Sequence, residues 1–417
     1  MKIGFLVHRT GYYQYFSPII DEALRRGHQV VCLHDYAQPR TGMKGYLFPY
    51  VESTPLFRFG SPQIIPFNNY EEFLKMIKER GINILVSVHF LPQYIDLYNK
   101  LKKEGVFWVA IQHAFDIIPI SEYLGTPDRY FIYSDATLDL AVDYLSNQGV
   151  IEKQNCSDHK EKLRSRVKSI GFPELDQINM IDPEQVRHEW DIPNEKPVVL
   201  LLPFPFGSTT DRFWVPLIYG VDNIALQLPI AMLSLRIRYV KQVVRKWNDK
   251  NVAKSIKNFC TKNDAYLLVK SRLKNPVRKH LSAVADKVLY DEEYYPATIL
   301  KCLSISDVCI NFLSSTVTEA VPAGVPNICI SPDPRDYVNI QTPLWKMIFD
   351  RANGFFDFPG ASYLLSIPEA IETLSNKSIQ DFPLDLERQR EYIKKFLGYS
   401  DGKSSYRVLN EIEALVK

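Results

Sequence analysis

Short runs that are apolar on both faces alternate with amphipathic stretches of helical period, and this rhythm constrains the fold more than any other feature. IGFLVH (3–8) opens the chain, and residues 17–34 read as helix, Gly turn and strand, with Ser17 as cap and Pro18 in the first turn. INILVSVHF (82–90), VFWVAIQH (106–113), RYFIYS (129–134) and VKSIG (167–171) continue the series, each flanked by a helical pattern. A strand apolar on both faces must be covered on both faces, so the pattern predicts a parallel sheet sandwiched between helices.

The rhythm breaks at residues 171–197, which are rich in Pro, Asp and Asn, and then restarts. VVLLLPF (198–204), AYLLVKS (265–271), KVLYD (287–291), DVCINF (307–312) and NICIS (327–331) are the strand candidates of the second half. At 417 residues the chain exceeds one ordinary core. The predicted fold class is therefore α/β, with two tandem Rossmann-like, doubly wound domains facing across a cleft. The domains are placed at 1–172 and 198–382, joined by a linker over 173–197 and followed by two C-terminal helices over 383–417. An insertion occupies about 205–264, between the first and second strands of the second half.

A net charge of +2 excludes a nucleic-acid-binding surface as the leading idea. Six cysteines without a CxxC pair, several inside apolar runs, predict neither disulfides nor a structural zinc. MKIGFLVHRTG reads as a first strand rather than a signal peptide, and no apolar run of about 18 residues predicts a membrane span. The expected location is the cytoplasm. The insertion is basic from Arg236 to Lys257, with Asp249 as its one acid, so 213–257 is a candidate for peripheral contact with the inner face of a membrane. A solvated helix packed by its apolar face explains the same pattern.

In open parallel sheets, ligands bind beyond the carboxyl ends of the strands. SSTVTE (314–319) follows a strand and should open a helix there, where unpaired N–H groups suit a phosphate. Thr316 and Glu319 also fit a capping box, and Pro322 then falls where a helix should start late or kink. Lys270 and Arg272 stand at another strand end, and Gly207, Ser208 and Arg212 follow a third; all are candidate phosphate partners. Of eight histidines, His8, His34, His89 and His113 stand at strand ends of the first half, where a base for proton abstraction would be useful.

TEAVPAGVPNI (318–328) resembles a segment of the C-terminal domain of GT-B glycosyltransferases, and the double α/β pattern resembles that superfamily along nearly the whole chain. IGFPELD (170–176) resembles a Gly-x-Pro-x-x-Asp stretch near the domain junction of CDP-glycerol glycerophosphotransferases and UDP-N-acetylglucosamine 2-epimerases. LLVKSRLKNP (267–276) resembles the Lys-x-His-Pro region of the former without its histidine, and IQHA (111–114) is similar to their His-Gly motif with Ala114 in place of Gly.

The resemblance implies that Glu319 holds the nucleotide ribose and that Ser314, Ser315 and Thr316 hold the diphosphate. Retaining members often carry an earlier glutamate, and Asn311 stands at that position here, which leans toward inversion. His113 is the first candidate base, His8 the second and Asp116 a carboxylate alternative. The implied activity is transfer of a sugar from a nucleotide-activated donor to a glycan or lipid-linked acceptor in surface polysaccharide or glycoconjugate synthesis. It implies no cofactor and no metal, in keeping with the lack of an Asp-x-Asp pair. The alternatives are a UDP-sugar 2-epimerase-like isomerase, a phosphotransferase acting on CDP-glycerol, and a non-catalytic nucleotide-sugar or glycan-binding subunit.

Overall fold

The computed structural model describes residues 1–37, 48–113, 118–203, 249–271, 277, 279–290, 292–331, 347 and 350–416. The first unit holds β1 (Lys2–Val7), β2 (Gln29–Asp35), β3 (Gln63–Phe67), β4 (Ile84–Val88), β5 (Phe107–Ile111), β6 (Arg129–Ile132) and β7 (Val167–Ser169). The second holds β8 (Val198–Leu202), β9 (Tyr266–Lys270), β10 (Lys287–Leu289), β11 (Val308–Asn311), β12 (Asn327–Ser331) and β13 (Ser362–Ser366). The sheet orders are β3-β2-β1-β4-β5-β6-β7 and β10-β9-β8-β11-β12-β13. Every pairing within them is parallel.

The apolar runs fold this way because successive side chains leave a strand on opposite faces. On β1, Ile3, Phe5 and Val7 enter one core cluster and Leu6 the other. On β8, Val198 and Leu200 enter one cluster while Val199 and Leu201 enter the other. β3 and β13 were not among the predicted strands. Both are edge strands, which lack one neighbour and need less apolar sequence; β3 even carries Pro66, tolerated at an edge.

The first helix departs from expectation. It runs Tyr13–Arg25, so Pro18 lies inside it rather than at its start. Proline has no N–H for the carbonyl four residues back, which here belongs to Gln14. That carbonyl accepts Gln177 Nε2 instead, at 3.0 Å. The partner is remote in sequence, so local signals could not reveal why proline is tolerated.

The segment read as a linker begins with a buried 3-10 helix, Pro173–Met180, in which Glu174 and Gln177 are fully buried. The tail crosses back over the molecule. Helix Leu386–Phe396 gives Tyr392 and Phe396 to the second unit's core, whereas helix Ser404–Val416 gives Val408, Leu409 and Ile412 to the first unit's. The crossing is tight. At Gly398 (φ +74) a Cβ would stand 2.5 Å from the Tyr133 carbonyl oxygen, and at Gly171 (φ +88) 2.6 Å from Ser404 Oγ. Asp176 caps the last helix, accepting Ser404 N at 3.1 Å and Ser405 N at 2.7 Å. The GFPELD stretch is thus the joint at which the tail returns.

All six cysteines are free, and five are buried. Most of the insertion lies outside the described residues. Its described end is a helix, Asp249–Lys262, that buries Val252, Ile256 and Phe259 against the second sheet, so this part of the basic stretch packs by its apolar face. Among the described residues no helix is long and apolar enough to cross a membrane.

Candidate active site

Strand order reverses between β1 and β4 in one sheet and between β8 and β11 in the other, and such switch points open crevices at the strand ends. A pocket of about 350 Å³ occupies the second. Leu202 and Pro203 at the end of β8, Lys270 and Ser271 at the end of β9, and Ser314–Thr316 after β11 line it. Gln14 and Tyr15, from the first unit's leading helix, form the opposite wall.

The loop after β11 is braced from below. Asn311 is fully buried; its Nδ2 donates to Asn327 Oδ1 at 2.5 Å and its Oδ1 accepts Ser314 N at 3.0 Å. Asn311 therefore orders the loop and does not line the pocket. Leu313 takes φ +52, a strained value for a branched residue. Ser314 Oγ lies 3.0 Å from Thr316 Oγ1 and 3.3 Å from Thr316 N, so these two loop hydroxyls are paired.

The helix that follows is a single turn, Val317–Ala320, ending before Pro322. The capping box is not formed: Thr316 makes no side-chain cap bond, and Glu319 accepts Thr318 Oγ1 at 3.1 Å. One turn carries little macrodipole. Anion binding here would rest on the hydroxyls and Lys270 rather than on a helix terminus, which corrects the sequence expectation. Glu319 is 7% exposed and lines the pocket.

Lys270 is the one cation among the described lining residues, against Glu292, Glu293 and Glu319. Its Nζ stands 4.0 Å from Glu292 Oε1, with both side chains mostly buried. Glu293 is held by Thr298, whose Oγ1 accepts Glu293 N at 2.9 Å. Sequence reading missed Glu292, Glu293, Tyr294 and Thr298. The signal was available, because YDEEYYP follows the β10 run and so stands at a strand end. Gln14 and Tyr15 gave no such signal, since they reach the pocket only through the packing of one unit on the other.

The histidines divide sharply. The His34 ring lies 2.7 Å from the Tyr13 hydroxyl, and burial pushes it down to about 4. Burial, then the neighbouring His113 ring, pushes His89 down to about 3; its Nδ1 lies 3.0 Å from the Tyr130 hydroxyl. Both are neutral structural groups near neutral pH. His8 Nδ1 stands 2.5 Å from Asp35 Oδ2, Nε2 meets the Tyr94 hydroxyl, and the ring stacks on Tyr94. His113 packs against Tyr15 at 5.0 Å between ring centroids, one ring behind the pocket wall. Asp116, Gly207, Ser208, Arg212 and Arg272 lie outside the described residues.

No protein-family model matches the chain, and no curated protein matches it in sequence. Solved structures do match in shape. The wall teichoic acid polymerase TagF superposes with a TM-score of 0.59 at 14% identity, over 99% of this chain and 88% of that one. The UDP-GlcNAc 2-epimerase from Neisseria meningitidis, solved bound to UDP-GlcNAc, superposes with a TM-score of 0.56 at 12% identity, over 99% of this chain and 100% of that one. A further UDP-N-acetylglucosamine 2-epimerase gives 0.54 at 10% identity, over 99% and 95%. The chain has the GT-B fold. At these identities the likeness extends to the fold alone, and the GT-B arrangement is what sets the pocket between two facing sheets.

Proposed function

We propose that the chain is a glycosyltransferase that moves a sugar from a nucleotide-activated donor to a glycan or lipid-linked acceptor, in synthesis of a surface polysaccharide or other glycoconjugate. The observation that carries this reading is the pocket at the β8/β11 switch point, where Glu319, Ser314, Ser315, Thr316 and Lys270 converge opposite the first unit. Its chemistry suits a nucleoside diphosphate: a carboxylate for ribose hydroxyls, and hydroxyls with one ammonium for phosphate oxygens. The matching epimerase solved with UDP-GlcNAc supports a nucleotide sugar as the ligand class.

In this reading the acceptor approaches past Tyr15. His113 takes the proton of the acceptor hydroxyl as its oxygen attacks the anomeric carbon. The bond from that carbon to the phosphate oxygen breaks, a glycosidic bond forms, and the nucleoside diphosphate leaves with the bonding electron pair. Lys270 and the 314–316 hydroxyls stabilise the charge gathering on the leaving phosphate. A single displacement of this kind inverts the anomeric centre.

A thermal-shift panel with UDP, GDP, CMP, CDP, ADP and dTDP tests the reading, since a ligand that binds only the folded chain raises its melting temperature. One nucleotide should shift the melt and lose that shift in Glu319→Ala. No shift with any of them would sink the donor site.

The carboxylates favour one second reading, an isomerase of the 2-epimerase kind. Glu292 and Glu293 give the pocket an acidic wall, which proton movement on a bound sugar would need. Product analysis without acceptor separates the two: an altered nucleotide sugar identifies the isomerase.

A further inference from the structure

Residues 292–297 form a wall with two faces. Glu292, Glu293, Tyr294 and Ala297 line the pocket, whereas Tyr295, in their midst, does not. Its ring lies 5.9 Å from Phe57 of the first unit, and its hydroxyl donates to Asp21 Oδ2 at 2.5 Å. Asp21 is buried on the Tyr13–Arg25 helix. The same carboxylate accepts Arg58 Nε at 2.7 Å, Arg58 N at 2.8 Å and Phe59 N at 3.2 Å. Three of its four bonds thus come from its own unit.

The socket is therefore satisfied with or without the tyrosine. If Tyr295 withdrew, Asp21 would keep its arginine and two amides, and no buried charge would be stranded. A contact that costs little to break on one side and carries a charge-assisted hydrogen bond when made suits repeated opening and closing. Burial, then the bond to Asp21, raises the Tyr295 phenol well above its ordinary range, so it remains a donor throughout the neutral region. A second strut fixes the other end of the wall, where Ala297 N donates to Gln177 Oε1 at 2.8 Å. Tyr294, just before the first strut, packs against the first unit's core cluster.

We propose that Tyr295 is a positioning residue: clasped by Asp21, it holds residues 292–297 in the shape of the pocket wall while the two units are closed on each other. Its consequence for ligand affinity rests on the nucleotide-site reading above; the clasp itself does not.

Spin labels at Glu104→Cys and Glu372→Cys, both exposed and one in each unit, report the separation of the units once Cys156 is replaced by serine. Tyr295→Phe should lengthen and broaden the distance distribution, Asp21→Asn should do the same, and the double variant should add nothing further. An unchanged distribution in Tyr295→Phe overturns the clasp. Calorimetry with the nucleotide that shifts the wild-type melt should then show affinity about tenfold weaker in Tyr295→Phe, the size expected for one hydrogen bond to a charged group. Undiminished affinity beside an opened distribution overturns the positioning role. An opened distribution in a protein whose wild type binds none of the nucleotides upholds the clasp and sinks the donor-site reading instead.

Discussion

At the end of β1 stands His8, stacked on Tyr94 with Asp35 at its other nitrogen. At the end of β8, the matching strand of the second sheet, Leu202 and Pro203 open onto the pocket. The same contrast holds one strand along, where β4 leads to His89, half-buried against Tyr130, and β11 leads to the hydroxyls of Ser314 and Thr316. One topology thus carries two surfaces, an aromatic wall that orders histidines and a polar cradle that lines a pocket. Strand order decides where a crevice opens, and the residues after each strand decide its chemistry.

The comparison breaks if the first unit's histidines prove to be charged and exposed. His34 and His89 are held neutral, so between their folded values and the unfolded 6.5 the unfolded chain binds more protons and stability falls as pH falls. From pH 7.5 to 5 the two together should cost about 4 kcal/mol, at roughly 1.4 kcal/mol per unit. Urea melts at the two pH values check this. His34→Gln should flatten the dependence, and an equally steep one would show that His34 is not held neutral.

A division of labour is the next consequence. His113→Ala should lower turnover about a hundredfold or more, as loss of a general base does, and leave nucleotide affinity unchanged. Near-normal turnover would remove it as the base. Glu319→Ala should do the reverse, weakening nucleotide binding by roughly 1.5–3 kcal/mol in calorimetry. Equal affinity in mutant and wild type would mean that the polar cradle is not the nucleotide site.

The smallest effect concerns the joint between the units. Asp176→Ala removes the cap of the Ser404–Val416 helix and should cost about 1–2 kcal/mol. Hydrogen exchange should rise first over residues 404–409, and uniform exchange along the helix would argue against capping as its role.

Much of the fold was legible because parallel strands buried on both faces leave an unmistakable apolar record, as in VVLLL or IGFLV. β3 and β13 were lost because edge strands need less of it. Within the site, Lys270 and Ser314–Thr316 were legible by position, at or just past a strand end, whereas Glu319 was named through the family resemblance; all five line the pocket. The capping box was a false lead: its spacing is present, but Glu319 turns to Thr318 instead.

By itself the sequence determined what depends on neighbours along the chain: the strand and helix periods, the division into two parallel sheets, and the strand ends at which the pocket opens. Tertiary structure alone decided what depends on groups far apart in the chain. It brought Gln177 to the carbonyl that Pro18 leaves free, placed Asp35 and Tyr94 beside His8, and set Gln14 and Tyr15 against a pocket built more than 180 residues later. The physical reason is the range of the forces. Burial and backbone geometry act on every residue where it stands, whereas hydrogen bonds and ion pairs act only at contact, and folding chooses which distant groups touch.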